Sequence, residues 1–202
     1  AEMKLLALGL YNLGCRTYRF LASFLTLPSK ASIFSWFHSL PCEPGTNKAI
    51  FNAIQQKIST FSDHDKLCVL LMDEMSLKSN LHYDTHTDRI IGFEDFGSQN
   101  GQSDKMATSA LVFMVRGIAR NCKQPVTYFF TASTCKSNQI QTLLIDCLNN
   151  LNDIGLTVKG VISDQGSNFL QLSKTLGITP EKPYFVHSSR KYYYLFDPPH
   201  LL

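Results

Sequence analysis

Residues 161–169 have the sequence VISDQGSNF, in which Asp164 follows an apolar run and precedes a small polar turn. Residues 67–75, LCVLLMDEM, have the same design, with Asp73 placed directly after a continuous apolar run. Apolar runs of this length are typical of strands that are covered on both faces. The two stretches therefore predict two buried strands that each end on an acid, and the fold depends on whether these strands are neighbours.

A long amphipathic helix is predicted between the two strands. Its apolar positions recur at helical spacing, and Gly155 follows them as a stop signal: Ile140, Leu143, Leu144, Cys147, Leu148, Leu151 and Ile154. A strand, a crossover helix and a second strand form a right-handed unit with parallel strands. If residues 67–72 form the neighbouring strand, Asp73 and Asp164 lie together at the carboxyl ends of the strands, where open α/β sheets have their sites. We then expect their carboxylates about 4 to 7 Å apart, close enough to share one ion.

The other strands are predicted from alternation and turn signals. Residues 81–93 alternate around a polar turn, and residues 109–119 and 125–130 enclose the turn RNCKQ. Residues 191–202, KYYYLFDPPHLL, predict a last strand that ends at Pro198 and Pro199. The resulting order is strand, strand, strand, helix, strand, which indicates an α/β domain with a mixed sheet.

The first part of the chain has a helical pattern instead. One helix ends at Pro28, Ser29 is placed to cap the next, and together they suggest a helix-turn-helix-like pair. After the break PCEPGT, a further amphipathic helix covers residues 50–58. We therefore predict a small all-helical unit at 1–64 and an α/β domain at 65–202.

Composition excludes several classes of protein. The 202 residues are 44% hydrophobic and 17% charged, which excludes fibrous and disordered chains, and the net charge of +3 is far below that of a dedicated basic DNA-binding domain. No apolar stretch approaches the roughly 20 residues that a membrane span needs. Cys68 and Cys147 fall on apolar faces without a C-x-x-C pair, as free thiols do. We expect a soluble, intracellular protein in a reducing compartment.

Two acids at strand ends suit hard divalent cations, because Mg²⁺ prefers oxygen ligands and keeps several positions for water and phosphate. In two-metal phosphoryl transfer, one ion activates the attacking oxygen and the other stabilises the leaving oxygen. An ordinary structural role is the alternative, since an Asp at a strand end commonly caps the turn that follows. For either Asp taken singly, both interpretations stay open.

Five stretches in order carry a family resemblance. They are LLMDEMSLKSNLHYD, GFEDFG, ALVFMVRGIARNCKQPVTYFF, GVISDQGSNF and LFDPPHLL, and together they resemble the catalytic region of P-element-type transposases, including vertebrate relatives with an amino-terminal THAP zinc domain. The resemblance implies a ribonuclease-H-like mixed sheet with flanking helices, preceded by the helical unit. It also implies that Asp73 and Asp164 are the first two catalytic acids and the ligands of Mg²⁺ or Mn²⁺.

The family's third acid is a Glu that lies well downstream, after an inserted guanine-nucleotide-binding domain. The resemblance therefore implies that this chain is either a fragment, truncated before the third acidic residue, or a shortened domesticated descendant, and that it is inactive in isolation. Asp197 and His200 belong to DPPH, which resembles a D-x-x-H signature of related transposases. We expect them either to support the metal site or to have local structural roles, with Asp197 capping the last strand. Glu74 alternates to the opposite side of its strand from Asp73 and is expected outside the metal's ligands.

Two functions remain in competition at this point. The first is metal-dependent DNA strand cleavage and transfer by a transposase, with DNA as partner, a nuclear location, no membrane association and a homo-oligomer as the full-length state. The second is a domesticated derivative that binds DNA or protein without catalysis. Seven basic residues are candidates for phosphate contacts, although only a basic path that converges on the acids would indicate DNA: Lys78, Arg116, Arg120, Lys123, Lys136, Arg190 and Lys191.

Overall fold

The computed structural model describes residues 2–38, 43–85, 88–97 and 101–197. The chain divides into two compact units, residues 1–42 and residues 43–202. No helix in the described part of the chain is long and apolar enough to cross a membrane.

The first unit consists of three short helices, α1 (Glu2–Leu13), α2 (Cys15–Leu21) and α3 (Lys30–His38). Ala7, Tyr18 and Ile33 form its buried centre. The Tyr18 hydroxyl donates a 2.7 Å hydrogen bond to the Pro28 carbonyl oxygen, which ties α2 to the segment before α3. Ser29 caps α3 as predicted, because its Oγ accepts a hydrogen bond from the Ser32 N–H at 3.2 Å.

The second unit is built on one mixed sheet. Within the described residues this sheet has nine strands, and their order is β10, β11, β9, β2, β7, β8, β5 and β6, with β1 paired to β8. Its strands are β1 (Gly45–Thr46), β2 (Leu67–Ser76), β5 (Phe93–Asp95), β6 (Gln102–Met106), β7 (Ser109–Gly117), β8 (Lys123–Thr131), β9 (Thr157–Ser163), β10 (Tyr184–His187) and β11 (Arg190–Phe196). A separate hairpin is formed by β3 (His82–Asp84) and β4 (Arg89–Ile91).

The central pairing is the one that the two quoted stretches predict. β9 lies parallel to β2, and β11 lies parallel to β9 on its other side. β7 pairs antiparallel with β2, and β8 pairs antiparallel with β7. The α/β class with a mixed sheet is therefore confirmed; β3 and β4 form the hairpin predicted at residues 81–93, and the structure adds the short strands β5 and β6 before β7.

Three helices pack on the sheet: α4 (Lys48–Ile58), α5 (Ser137–Asp153) and α6 (Ser167–Thr175). Their apolar side chains share one buried core with Cys68, Leu70 and Met72, the alternate residues of β2. The residues between them, Val69 and Leu71, are only half-buried and belong to the opposite face of the sheet. Asp73 continues the series of Val69 and Leu71, so it lies on this more open face.

The boundary between the units differs from the one that the sequence predicts. The sequence predicts helix α4 as part of the helical unit 1–64, but its buried residues Phe51, Ile54 and Ile58 pack in the core of the sheet. In addition, β1 precedes α4 and pairs with β8. The division therefore falls between residues 42 and 43, because the apolar face of α4 is buried by the sheet.

Candidate active site at the ends of three parallel strands

Register places three aspartates in one row near the carboxyl ends of β2, β9 and β11: Asp73 lies within β2, and Asp164 and Asp197 directly follow β9 and β11. Leu71 pairs with Ile162, and Ile162 pairs with Leu195. Two residues further along each strand are Asp73, Asp164 and Asp197. Because side chains alternate with a period of two, these three acids lie on the same face as the paired residues before them.

The parallel pairing of β9 with its neighbours stops just before the acids, whereas β2 stays paired with β7 as far as Ser76. The ladder between β2 and β9 ends at Leu71 and Ile162. Between β9 and β11 it continues slightly further, and the Asp197 N–H donates to the Ser163 carbonyl oxygen at 2.8 Å. Asp164 and Asp197 thus follow the last paired residues of β9 and β11, whereas Asp73 lies within β2, opposite Val112 of β7.

All three acids line a single groove on the open face of the sheet, with a volume of about 570 Å³. The floor of this groove is largely apolar, with Leu71, Met114 and Ile162 among its lining residues. Arg116, on β7, lines it as well, and its side chain is exposed. Of the seven basic residues considered from the sequence, Arg116 is the one that the groove includes.

Asp164 shapes the turn that follows β9. Its Oδ1 accepts a 2.9 Å hydrogen bond from the Gly166 N–H, so the turn-capping role anticipated for this residue is present. A Cβ at Gly166 would lie 3.1 Å from Asp164 Oδ1 and 2.8 Å from Asn168 Oδ1, so a larger residue here would displace one or both of these side chains. Capping fixes the carboxylate at the edge of the groove and so does not conflict with a ligand role.

Asp73 is exposed, and its Oδ1 accepts a 2.8 Å hydrogen bond from the N–H of Glu74. Asp197 is half-buried and lines the groove. His200, the other member of DPPH, lies outside the described residues. The structure therefore brings Asp73, Asp164 and Asp197 to one groove, whereas the sequence left Asp197 open between a supporting role at the metal site and a local structural role.

A buried tyrosine lies beneath the second acid. Tyr194, on β11, shares a 2.9 Å hydrogen bond with Ser163 Oγ. The pKa of Tyr194 is raised to about 12, because the effect of burial outweighs the lowering by the Ser163 hydrogen bond and the nearby Asp164 charge adds a smaller increase. The phenol thus stays neutral around pH 7 and keeps the end of β11 joined to the end of β9.

Glu74 and Asn168 form a contact that sequence reasoning missed. Glu74 lies on the helix-covered side of β2, as expected, and its Oε2 accepts a 2.9 Å hydrogen bond from Asn168 Nδ2 on α6. A signal for it was present, because a carboxylate on the covered face of a strand requires hydrogen-bond donors nearby. The identity of the partner, 94 positions away, could not be found from spacing.

Few side chains in this groove could bind a metal ion. Among the described residues, no three acidic, imidazole or thiol side chains come close enough together to hold a metal ion. The acids of the groove nonetheless offer carboxylate oxygens on a surface that water reaches. This donor type fits Mg²⁺ or Mn²⁺, which take hard oxygen ligands and complete their coordination with water.

Residues 42–177 match the family described as the TNP-like RNase H N-terminal domain. The chain belongs to this family. Its match begins next to the boundary between the two units and includes β2, β9 and both Asp73 and Asp164. The RNase-H-like fold predicted for this region is therefore confirmed.

Two curated relatives and one solved structure extend the comparison beyond the TNP-like RNase H N-terminal domain. The chain is 32% identical over its whole length to human DNA transposase THAP9, and 26% identical over 97% of its length to the transposable element P transposase of Drosophila melanogaster. It spans only 23% and 24% of these two proteins. A structure titled Drosophila P element transposase strand transfer complex matches 98% of the chain with a TM-score of 0.79 and 26% identity, over 41% of its own chain.

Proposed function

We propose that this chain is the catalytic region of a metal-dependent DNA transposase, in which Asp73 and Asp164 bind Mg²⁺ or Mn²⁺ for strand cleavage and transfer. The observation that carries the proposal is the parallel pairing of β2 with β9, which brings the two acids to neighbouring strand ends. Adjacent strands lie about 4.8 Å apart, consistent with the expected carboxylate separation of about 4 to 7 Å. The names of the relatives, which describe DNA transposition and strand transfer, support the same reaction class.

The acids and Arg116 have different roles in this proposal. Asp73 and Asp164 hold the ion, Asp197 is the first candidate for a supporting side chain, and His200, outside the described residues, is the second. A bound divalent ion supplies a Lewis acid and lowers the pKa of water or hydroxyl oxygens. Arg116, on the same groove, pairs with a phosphate of the DNA backbone. Asp164 is held in place by its own turn, so little reorganisation is required when the ligand binds.

The proposal also includes a binding partner, a location in the cell and an oligomeric state. DNA is the partner, the nucleus is the location, and the full-length protein is a homo-oligomer. The 202 residues alone are not expected to cleave DNA, because Asp73 and Asp164, the two ion ligands of this proposal, supply too few ligands and too little charge for two metal ions, and Asp197 is only a supporting side chain. We expect weak binding of Mn²⁺ instead, with a dissociation constant on the order of 1 mM.

Metal binding provides the first test. Asp73→Asn and Asp164→Asn should each abolish Mn²⁺ binding, measured by titration calorimetry and by paramagnetic broadening of nearby amide signals. Asp104→Asn is the matched control, since Asp104 is an exposed acid of β6, at the far edge of the sheet. Neither site variant should lower the melting temperature much, because each removes one negative charge from a crowded pair. Equal Mn²⁺ binding by all four proteins would place the metal site elsewhere.

A derivative that binds DNA or protein without catalysis is the second candidate. It is favoured by the lack of a three-ligand cluster among the described residues. DNA binding that is unchanged by Mn²⁺ and by both Asp→Asn variants would support this candidate. Cleavage of DNA by the wild-type chain would exclude it and would direct attention to Asp197 as the third acid.

A further inference from the structure

Glu74 is the residue next to the first acid, and it joins three parts of the fold. Its Oε2 accepts the 2.9 Å hydrogen bond from Asn168 Nδ2 described above. Its Oε1 accepts from the Cys135 N–H at 3.1 Å and from Thr131 Oγ1 at 3.3 Å. Both carboxylate oxygens are therefore engaged, and one side chain links β2 to the end of β8, to the loop before α5 and to the first turn of α6.

The link to α6 reaches the second acid. Asn168 lies two residues after Gly166, whose N–H donates to Asp164 Oδ1. The next residue, Phe169, is buried in the core, so the first turn of α6 is fixed on one side by packing and on the other by Glu74. The segment between β9 and α6, which carries Asp164, is thus tied directly to the strand that carries Asp73.

We propose that Glu74 is a positioning residue of the metal site: its hydrogen bond to Asn168 holds the turn of Asp164 at a fixed place beside Asp73. This inference rests on the proposed function for its consequence in metal binding. The main-chain ladder between β2 and β9 brings the two acids to neighbouring strands, but it ends at Leu71 and Ile162 and places no constraint on the turn that carries Asp164. The contact from Glu74 to Asn168 supplies that constraint from the opposite face of the sheet.

The other contacts of Glu74 provide a matched control. Thr131→Val removes the hydroxyl that bonds to Oε1 and leaves the Asn168 contact on Oε2 in place. Because Thr131 is buried, removal of its hydroxyl tests whether the hydrogen bonds of Glu74 contribute to the stability of the fold alone. Asn168→Ala and Glu74→Gln remove or weaken the contact on Oε2, and the double variant tests whether the two residues act through each other.

The experiment measures three quantities on the full 202-residue chain. They are Mn²⁺ affinity from paramagnetic broadening, the hydrogen-exchange rate of the Gly166 amide, and the melting temperature. We expect Asn168→Ala and Glu74→Gln to weaken Mn²⁺ binding about tenfold, as loss of a residue that orients a metal ligand does. Both should also accelerate exchange at Gly166, and Asn168→Ala should add nothing in the Glu74→Gln background. Thr131→Val should change only the melting temperature.

The outcomes separate this inference from the proposed function. Wild-type Mn²⁺ affinity in Asn168→Ala, while Asp164→Asn loses binding, would overturn the positioning role and leave the metal site intact. If the wild-type chain does not bind Mn²⁺, the proposed metal site fails, and exchange at Gly166 then decides whether Glu74 fixes the Asp164 turn. An unchanged Gly166 rate in both variants would reject the inference.

Discussion

At the scale of single residues, the surroundings strongly raise the pKa of three buried cysteines. Cys68, Cys135 and Cys147 lie in the core between the sheet and its helices. Burial raises the pKa of Cys68 and of Cys135 to about 12 and also raises the pKa of Cys147. For Cys135, the charges of Glu74 and Glu94 add to this effect. These thiols are neutral core side chains, as the sequence predicted for Cys68 and Cys147.

The raised thiol pKa values predict a loss of stability at alkaline pH. In the unfolded chain the thiols ionise near their ordinary pKa of 9.0, whereas the folded protein keeps them protonated until about pH 12. Between these values the unfolded state has lost protons that the folded state retains, so the free energy of unfolding falls as pH rises. Each thiol contributes a slope of up to about 1.4 kcal/mol per pH unit.

Denaturant unfolding of the wild type and of Cys147→Ala between pH 8 and pH 11 checks this slope, with Cys15→Ala, at an exposed cysteine, as the control. The decline should be shallower in Cys147→Ala than in the wild type and unchanged in Cys15→Ala. Parallel curves for all three proteins would contradict the assignment.

At the scale of elements, the end of α5 determines how the chain enters β9. Gly155 has a φ of +95°, and its N–H bonds to the Asn152 carbonyl oxygen at 3.0 Å. The Leu156 N–H bonds to the Leu151 carbonyl oxygen, also at 3.0 Å, which completes a Schellman motif. This turn ends the crossover helix and leads directly into the strand that carries Asp164.

Gly155→Ala should therefore destabilise the domain by about 1 to 2 kcal/mol, the cost of the left-handed conformation for a residue with a Cβ. No heavy atom lies within 4 Å of a Cβ added at this position, so backbone strain is the reason, with no contribution from crowding. Gly155→Asn is the matched variant, because Asn tolerates this conformation better and should lose less stability. Equal losses in the two variants would argue against conformational strain.

At the scale of the whole molecule, the position of α4 predicts which part of the chain folds alone. A protein of residues 43–202 should unfold in one cooperative transition. A protein of residues 65–202 lacks Phe51, Ile54 and Ile58, whose burial contributes about 1.5 to 3 kcal/mol each. This loss is comparable with the whole stability of a typical domain. Thermal melts followed by circular dichroism distinguish the two proteins. Cooperative melting of residues 65–202 would support the domain boundary between residues 64 and 65 that the sequence predicts.

The sequence by itself determined the elements that local periodicity controls. The apolar runs before Asp73 and Asp164 formed strands, the spacing from Ile140 to Leu151 formed α5, and Gly155 ended it. These features depend on neighbours within a few positions, so the free energy that selects them is visible in a short window. The pairing of β2 with β9 could also be predicted from the sequence, because the crossover helix that precedes β9 limits the possible topologies.

Only the tertiary structure decided the features that depend on contacts between distant positions. The sheet buries the apolar face of α4, and this fixed the domain boundary, since the helical pattern of residues 48–58 does not reveal what covers it. The pairing of Leu195 with Ile162 placed Asp197 in the row of acids. The contact of Glu74 with Asn168 joins residues 94 positions apart. Each of these is selected by packing of the whole chain, and periodicity records which face of an element is buried but not the partner that buries it.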